Sequence, residues 1–467
     1  MTRIIMLLCA ALLASCAVGP DYRRPTVEVP SSWRVDYAQG EGLANTAWWE
    51  SFHDPVLTDL IRSAIRENKD LKIAAARVEQ FLGILDATRS EFFPQVGYGA
   101  AATRQQNARS PLAPVDQPAF TTYQAVLNVN WELDIWGRIR RSSEAARAQV
   151  LSSEEGRRAV VLSLVSGVAS SYITLRGIDR QLEIARATEK SYGESLRIFR
   201  LRHQYGTVSR VEVSQIESQY EVAAQAIPQL EALAAQQEHL ISSLLGRNPG
   251  PVPRGKTIDE LTVPLLPQEL PLALLERRPD IRQAEQDLVA ANARIGAAKA
   301  LYFPTVSLSG LLGTQSSELS RLFEGGSGLW SMGGTLAGPL ITFGAISGQV
   351  KQAEAVSRQL LVRYEQTIQN AFREVEDSLV ATLKGREQLL SQGRQLESLA
   401  DYARLSRLRY EAGSVNYLQV LDAERSLFAA QLSRVQTQAA LFGAYINVYK
   451  AMGGGWIDLA DHVAAEP

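Results

Sequence analysis

The residue whose sequence context most clearly predicts a chemical reaction is Cys16. It directly follows the small-residue sequence Leu13-Ala14-Ser15, which closes an N-terminal segment made of one basic residue, Arg3, and a short apolar run. That run is too short to span a bilayer as a helix and has the organisation of an export signal. A cysteine at this position favours a lipobox, in which Cys16 becomes the lipidated first residue of the mature chain. The alternative is an ordinary secretory signal with an incidental cysteine.

The remaining composition excludes several other chemistries and partners. Removal of residues 1–15 also removes Cys9, so the mature chain has no free thiol for a disulfide, a metal site or a nucleophile. Without Arg3, the 48 Lys and Arg become 47 against 50 Asp and Glu, which gives no reason to expect binding to nucleic acid. Ala17 stands where an aspartate would usually mark inner-membrane retention, so we expect the outer membrane as the destination.

The sequence contains no pattern typical of an enzyme. There is no Walker loop, no G-x-S-x-G and no H-E-x-x-H. The run Gly325–Gly328 lacks the lysine of a phosphate-binding loop and predicts a flexible extracellular loop. The histidines are scattered and none pairs at ligand spacing: His53, His203, His239 and His462. We therefore expect no catalytic residues, no metal site and no cofactor besides the covalent lipid on Cys16.

The elements that carry these residues form a tandem duplication. The segments 201–219 and 408–426 match over a helix, a corner and a second helix, with Gly206 and Gly413 at the same place. Two further pairs of segments match in the same order, namely 70–96 with 280–306 and 136–150 with 343–357. The predicted division is a signal peptide at 1–15, a lipidated extended segment at 16–53, a first repeat at 54–247, a linker at 248–271, a second repeat at 272–452 and a tail at 453–467.

Each repeat contains two short strands with alternating apolar and polar residues. The four strands are predicted at 94–103, 123–134, 304–313 and 329–338. Strands of about ten residues with this alternation fit a membrane β-barrel, although a half-buried sheet of a soluble protein shows the same pattern. No segment after the signal has the roughly 18 uncharged apolar residues of a transmembrane helix, so any crossing of the membrane must use strands.

The strand pattern also assigns the two faces. Leu127 and Val129 should face lipid, whereas Asn128 should face the lumen. Tryptophans near the strand ends are predicted at the bilayer interface: Trp131, Trp136 and Trp330.

The strands are followed by helices that are unusually long. The segment from Arg138 to about Gln204 contains no proline and predicts a helix of roughly 100 Å, with apolar residues at the 4-3 spacing of a coiled coil. Gly206 and Gly413 predict left-handed helix ends, after which Ser209 and Asn416 are expected to cap the returning helices.

A single chain does not have enough strands to close a barrel. The smallest membrane barrels have about eight strands, and hydrocarbon does not tolerate the open edges of a four-stranded sheet. The barrel must be shared, and the strand count by itself allows either two or three chains.

Together these features resemble the bacterial outer-membrane factors, the TolC/OprM-like channels, and among them the NodT-type lipoproteins of resistance-nodulation-division efflux systems. The similarity lies in "CAVGPDYRRP" (16–25), the paired "FFPQV" and "YFPTV", "WELDIWGRIRR" (131–141), "ERRPDI" (276–281) and "YEAGSVNYLQVLDAERSL" (410–427). It implies a mixed α/β membrane protein, a homotrimer with a shared 12-stranded β-barrel and a periplasmic α-helical barrel.

The resemblance also implies a function and partners. The chain would be the outer-membrane channel of a tripartite efflux pump. It would passively conduct drugs and toxic small molecules received from an inner-membrane pump through a periplasmic adaptor. Two alternatives remain open within this interpretation: the channel of a type I protein-secretion system, and a structural coiled-coil envelope lipoprotein.

In the family, an apolar ring and a carboxylate ring close the periplasmic end of the helical barrel. The matching positions are Leu418 and Asp422, with Arg425 three residues further on as a partner on the same helix face. Gln215 occupies the place of Asp422 in the first repeat, and this asymmetry favours a gate over a shared structural role. The alternative is that Asp422 is only a solvated helix residue.

Overall fold

The computed structural model describes residues 17–34, 47–106, 119–267 and 271–454. The helices are α1 (Pro55–Glu67), α2 (Lys69–Ser90), α3 (Arg138–Gln204), α4 (Arg210–Leu244), α5 (Leu274–Arg277), α6 (Pro279–Ala300), α7 (Ala345–Glu411) and α8 (Tyr417–Ala451). The strands are β1 (Gln95–Gln105), β2 (Phe120–Leu133), β3 (Thr305–Ser316) and β4 (Gly328–Ala337). All four predicted strands and the long helix at 138–204 are therefore present, with strand ends displaced by one to three residues.

The described residues form two compact units. Unit 1 comprises the residues up to Thr26 together with Arg77–Glu154 and Gln283–Glu365, and unit 2 comprises the rest. Each unit contains segments from both predicted repeats. The repeats are thus units of sequence and do not coincide with the compact units.

Unit 1 contains one antiparallel sheet with the strand order β1-β2-β3-β4. Residues directly opposite each other in antiparallel strands share a face. One row across the sheet consists of Tyr98, Leu127, Leu312 and Trp330, and all four are large and exposed in the single chain. The neighbouring row on the other face consists of Gly97, Asn128, Leu311 and Ser331. The predicted alternation therefore extends across all four strands: one face is apolar, and the other is mainly small or polar, with Val126, Leu311 and Leu329 as exceptions.

Unit 2 is built around a hydrophobic core to which α3 contributes its apolar stripe. Val161, Val165, Val168, Tyr172 and Leu175 are all buried in this core. The equivalent stripe of α7 is buried too, at Ile368, Val375, Leu379 and Thr382. Both predicted coiled-coil seams are thus packed inside the protein.

One sequence expectation about the helices was wrong. Among the described residues, α3 contains an 18-residue window that is long and apolar enough to cross a membrane by length and composition. More than half of this window is buried within the chain. Its hydrophobic residues are required by the core of unit 2, which explains why a helix that packs internally has the composition of a membrane span.

The linker between the repeats is attached to the first hairpin of unit 2. Asp179 interrupts the apolar stripe of α3, and its carboxylate accepts hydrogen bonds from Arg176 (2.5 Å) and from Arg254 of the linker (3.1 Å). Arg254 also pairs with Glu238 of α4. Burial alone would lower the pKa of Arg254, but the hydrogen bonds to Asp179 and Glu238 outweigh it and raise that pKa. The break in the coiled-coil pattern is thus the attachment point of the linker.

Candidate functional site

Each long helix reverses direction at a glycine, as the sequence predicts. Gly206 and Gly413 both have φ of +72°, a conformation that residues with a side chain rarely adopt. At the first corner, the Thr207 N–H donates to the Arg202 carbonyl (2.9 Å). At the second, the Ser414 N–H donates to the Arg409 carbonyl (2.8 Å). These bonds satisfy carbonyls at the helix C-termini and close both corners in the same way.

The two returning helices begin differently. Ser209 forms a capping box with Glu212: the Ser209 hydroxyl accepts from the Glu212 N–H, and the Glu212 carboxylate accepts from the Ser209 N–H (2.7 Å). Asn416 stands at the equivalent cap position, but its side chain makes no capping hydrogen bond. The predicted position of Asn416 is confirmed and its expected capping role is wrong. No capping box forms, because the Asn416 side chain does not accept a hydrogen bond from the first turn of α8.

The corners of the two repeats meet in unit 2 around a cluster of aromatic rings. The Phe199 and Tyr417 rings have centroids 4.3 Å apart, and Tyr410 contacts Tyr417 at 4.9 Å. The Arg202 guanidinium donates to the Tyr410 hydroxyl (3.2 Å) and so joins the first corner to the second. The surrounding core is formed by Leu196, Val213, Ile216, Val420 and Leu421. The two corners are therefore adjacent within unit 2.

Each hairpin is closed by an ion pair that the sequence analysis did not anticipate. Arg200 of α3 pairs with Glu217 of α4 at 2.7 Å. At the equivalent positions of the second repeat, Arg407 of α7 pairs with Glu424 of α8. Burial opposes the charge on Arg407, yet attraction by Glu424 outweighs this effect and raises the pKa of Arg407. Arg407 and Glu424 each lie 207 positions after their counterparts Arg200 and Glu217. This constant offset is the sequence signal that could have revealed both pairs.

The predicted gate residues line a groove of about 770 Å³ between α4 and α8. An Arg425 Nη atom lies 2.7 Å from an Asp422 carboxylate oxygen, and both side chains are about half exposed. Leu418 lies one turn before Asp422, and 53% of it is exposed. The structure therefore brings Leu418, Asp422 and Arg425 together on one helix face.

The opposite wall of this groove comes from the first repeat and is chemically different. Val211, Gln215 and Ser218 of α4 occupy the positions equivalent to Leu418, Asp422 and Arg425, and all three line the groove. The carboxylate and its cation are thus supplied by α8 alone. The only basic residue on the α4 wall is Arg210, at the start of that helix.

The predicted interface tryptophans occupy different environments in unit 1. The Trp131 indole donates to the Phe92 carbonyl (2.9 Å). The Trp136 indole donates to the Pro304 carbonyl (2.7 Å), and its ring stacks on Phe303 with centroids 4.7 Å apart. Trp330 is largely exposed on the apolar face of the sheet. Their location at the bilayer interface stays a prediction.

Cys16 lies outside the described residues, but the segment that follows it is bound to unit 1. The Val18 N–H donates to the Trp136 carbonyl (3.1 Å), and Arg141 pairs with Asp21 (2.7 Å). Gly19 crosses Gly296 of α6 so closely that a Cβ on Gly19 would lie 2.4 Å from the Gly296 Cα. The segment downstream of the cysteine is therefore held at the C-terminal end of β2.

The described part of the chain contains no group of histidine, cysteine or acidic residues arranged to hold a metal ion. Two histidines contact backbone carbonyls instead: His53 that of Ser51 (2.9 Å) and His203 that of Val208 (3.0 Å).

A sheet with one apolar face, followed by long helical hairpins in each half of a duplicated chain, defines a class of channel-forming envelope proteins. A family model described as "Outer membrane efflux protein" matches residues 60–247 and again 270–454. The chain belongs to the outer membrane efflux protein family. The double match reflects the internal duplication.

Individual relatives agree with this assignment. The chain is 34% identical to the toluene efflux pump outer membrane protein TtgF of Pseudomonas putida, over 100% of this chain and 98% of that protein. It is 35% identical to the cation efflux system protein CusC of Escherichia coli, over 96% and 98% of the two chains. The open state of the Neisseria gonorrhoeae MtrE outer membrane channel superposes with a TM-score of 0.86 at 30% identity, covering 94% of this chain and 99% of that one.

These findings confirm the predicted family, fold class and outer-membrane location. The protein is an efflux channel of the outer membrane, and its family is one of channels and not of enzymes.

Proposed function

We propose that three copies of this chain form a continuous conduit, with a 12-stranded barrel in the outer membrane and a periplasmic tube of helices. The observation that carries this proposal is the sheet of unit 1, which has an apolar face and two open edges at β1 and β4. Hydrocarbon does not tolerate unpaired strand edges, so the edges must be paired with other copies. Twelve strands enclose a lumen wide enough for solutes, whereas a barrel of about eight is filled by its own side chains.

The conduit is passive and receives its cargo from an inner-membrane pump through a periplasmic adaptor. Relatives are named for the efflux of toluene and of cations, which differ widely in charge. The central polar side chains on the polar face of the sheet are neutral, so they favour neither charged nor uncharged solutes. They are Asn128, Asn130, Ser309 and Ser331. In this proposal the cargo is selected by the pump, and the chain itself performs no catalysis.

The periplasmic end of the conduit is closed by the groove residues of α8. In a trimer with cyclic symmetry, three Leu418 side chains and three Asp422 carboxylates converge on the axis. Like charges at close range repel, so the neighbouring Arg425 cations or contacts with the adaptor offset the repulsion within the Asp422 ring when the channel is closed. When open, the ring favours cations and binds a divalent ion weakly.

The proposal includes a lipid anchor on Cys16. The binding of residues 18–21 to unit 1 near Trp136 supports it, because this contact would hold the lipid close to the end of β2.

Single-channel recording of the purified protein in a planar bilayer tests the conduit. We expect stepwise ohmic currents that increase when the gate is weakened by substitution of Leu418. A chain that only tethers envelope layers would give no current, and that result would overturn the proposal. Leu127→Arg, which places a charge on the lipid face, is the matched control and should abolish insertion.

A further inference from the structure

We propose that the outer end of the sheet in unit 1 carries a binding site for the phosphorylated glycolipid of the outer leaflet, and that Arg104 of β1 binds its phosphate group. This inference rests on the proposed conduit, because that proposal sets which face of the sheet contacts lipid and which end of the strands points away from the periplasm.

The sheet contains very little charge. Across the four described strands, Arg104 and Glu132 are the only charged residues. Arg104 lies opposite Thr121, on the same face as Leu127, whereas Glu132 lies on the opposite face with Asn128. Arg104 is therefore the single charged residue on the apolar face of these strands.

The two charged residues differ in their partners. Glu132 pairs with Arg138 of α3 at 2.9 Å, so its charge is neutralised within the chain. Arg104 is exposed, and no acidic side chain among the described residues pairs with it. A charge beside hydrocarbon is costly unless polar or oppositely charged groups reach it. The guanidinium of Arg104 is thus open to a ligand at the surface of the sheet.

The position of Arg104 along the strands matches the level of the lipid headgroups. Every second residue of β2 from Leu133 to Tyr123 is apolar or aromatic, and the next one on this face is Thr121, opposite Arg104. Ten residues (133 minus 123) at about 3.3 Å each, tilted by about 40°, span about 25 Å. This is the height of the apolar band of an outer-membrane barrel, so Arg104 lies just beyond the hydrocarbon.

The direction of the strands identifies the leaflet. Helix α2 precedes β1 at Gln95, and helix α3 follows β2 after Leu133, so both helices are attached at the end of the sheet that is distant from Arg104. In the proposed conduit the helices are periplasmic. Arg104 therefore faces the outer leaflet, whose main lipid carries phosphate groups on the sugars of lipid A.

The surroundings of Arg104 suit a phosphorylated lipid better than a free anion. An arginine guanidinium is a planar fork of N–H donors that binds phosphate through two parallel hydrogen bonds. The next positions on the same face hold small residues, and the ring of Tyr98 beyond them is 90% exposed. These small residues are Ala100, Ala102 and Ala125. An acyl chain that descends from the headgroup can therefore lie over the alanines and contact the Tyr98 ring.

Native mass spectrometry of the detergent-purified full-length protein, titrated with lipid A, tests the site. We expect lipid A with both phosphates to bind, at up to one copy per chain. Arg104→Gln should weaken this binding about fivefold, which corresponds to the about 1 kcal/mol of one basic residue near an anionic surface. Dephosphorylated lipid A should bind about fivefold more weakly to the unaltered protein and equally to both proteins, because each change removes the same contact.

Two controls identify the contact and the source of the phosphate. Arg321 lies in the β3–β4 loop, outside the strands, and pairs with Glu318 at 3.2 Å. Arg321→Gln should therefore leave lipid A binding unchanged. Arg104→Lys, which keeps the charge but not the planar fork, should retain part of the binding. Inorganic phosphate at millimolar concentration should not displace the lipid, because it lacks the acyl chains.

The outcomes separate this inference from the proposed conduit. Equal binding of lipid A by Arg104→Gln and by the unaltered protein, both with the mass of a trimer, would overturn the lipid site and leave the conduit intact. Displacement by inorganic phosphate would also overturn it, since the site would then recognise a free anion. A purified protein that stays monomeric and conducts no current would overturn the conduit and the lipid site together.

Discussion

The relative strength of the two gate elements can be worked out from the structure. The Asp422–Arg425 pair is spaced i, i+3 on a helix and both side chains are about half exposed. Such pairs contribute about 0.2–0.5 kcal/mol each. Three copies would contribute about 0.6–1.5 kcal/mol, so Arg425→Ala should raise the open-to-closed ratio only about 3- to 13-fold.

The leucine ring should contribute more. Full burial of a leucine side chain stabilises by about 1.5–3 kcal/mol. Leu418 is 53% exposed in the single chain, so closing the ring can bury about half of it. Three copies then contribute about 2.3–4.5 kcal/mol, and Leu418→Ala should raise the open-to-closed ratio roughly 45- to 2,000-fold. We therefore expect the apolar ring, and not the ion pair, to keep the channel closed.

Single-channel recordings of Arg425→Ala and of Leu418→Ala measure the open-to-closed ratio directly. The double variant Leu418→Ala with Asp422→Ala should also lose cation preference and admit large antibiotics into cells. Val211→Ala is the matched control, because Val211 holds the Leu418 position in the first repeat and should affect the ratio little. A larger increase from Arg425→Ala than from Leu418→Ala would refute the reasoning, and unchanged conductance and selectivity in the double variant would remove Asp422 from the gate.

Three further predictions concern the anchor, the barrel faces and the helix caps. Cys16→Ser should abolish incorporation of a lipid label, yet part of the protein should still reach the outer membrane because the barrel is an independent anchor; a wholly soluble monomer would contradict the barrel. Leu127→Arg should cost about 2–4 kcal/mol near mid-membrane and prevent assembly, whereas Asn128→Arg should assemble and alter ion selectivity; the opposite tolerance would mean that the faces are exchanged. Ser209→Ala should cost about 1 kcal/mol and speed amide exchange in the first turn of α4 about fivefold, whereas Asn416→Ala should barely affect α8; equal effects would contradict the observed difference in capping.

Much of this fold is readable from the sequence because the relevant signals are local or periodic. The alternation around Leu127 and Asn128 identifies a strand and both of its faces without knowledge of any neighbour. The glycines at 206 and 413 predict helix ends because only local backbone geometry is involved. The repeat offsets add long-range information, since a duplicated sequence implies duplicated contacts.

Other features depend on contacts between residues that are distant in sequence, and local sequence patterns do not predict such contacts. Asp179 reads as a defect in the α3 stripe until Arg254, 75 residues later, is seen to bind it. The apolar window of α3 has the composition of a membrane span. Only its packing in the core of unit 2 distinguishes it from a helix that crosses a membrane. Asn416 has the residue type of a cap, but capping requires a side-chain orientation that residue type does not determine. Sequence periodicity thus determined which elements form and which faces they present. Tertiary contacts decided which side chains are paired, because pairing energies depend on distances of a few ångströms between residues that only the folded chain brings together.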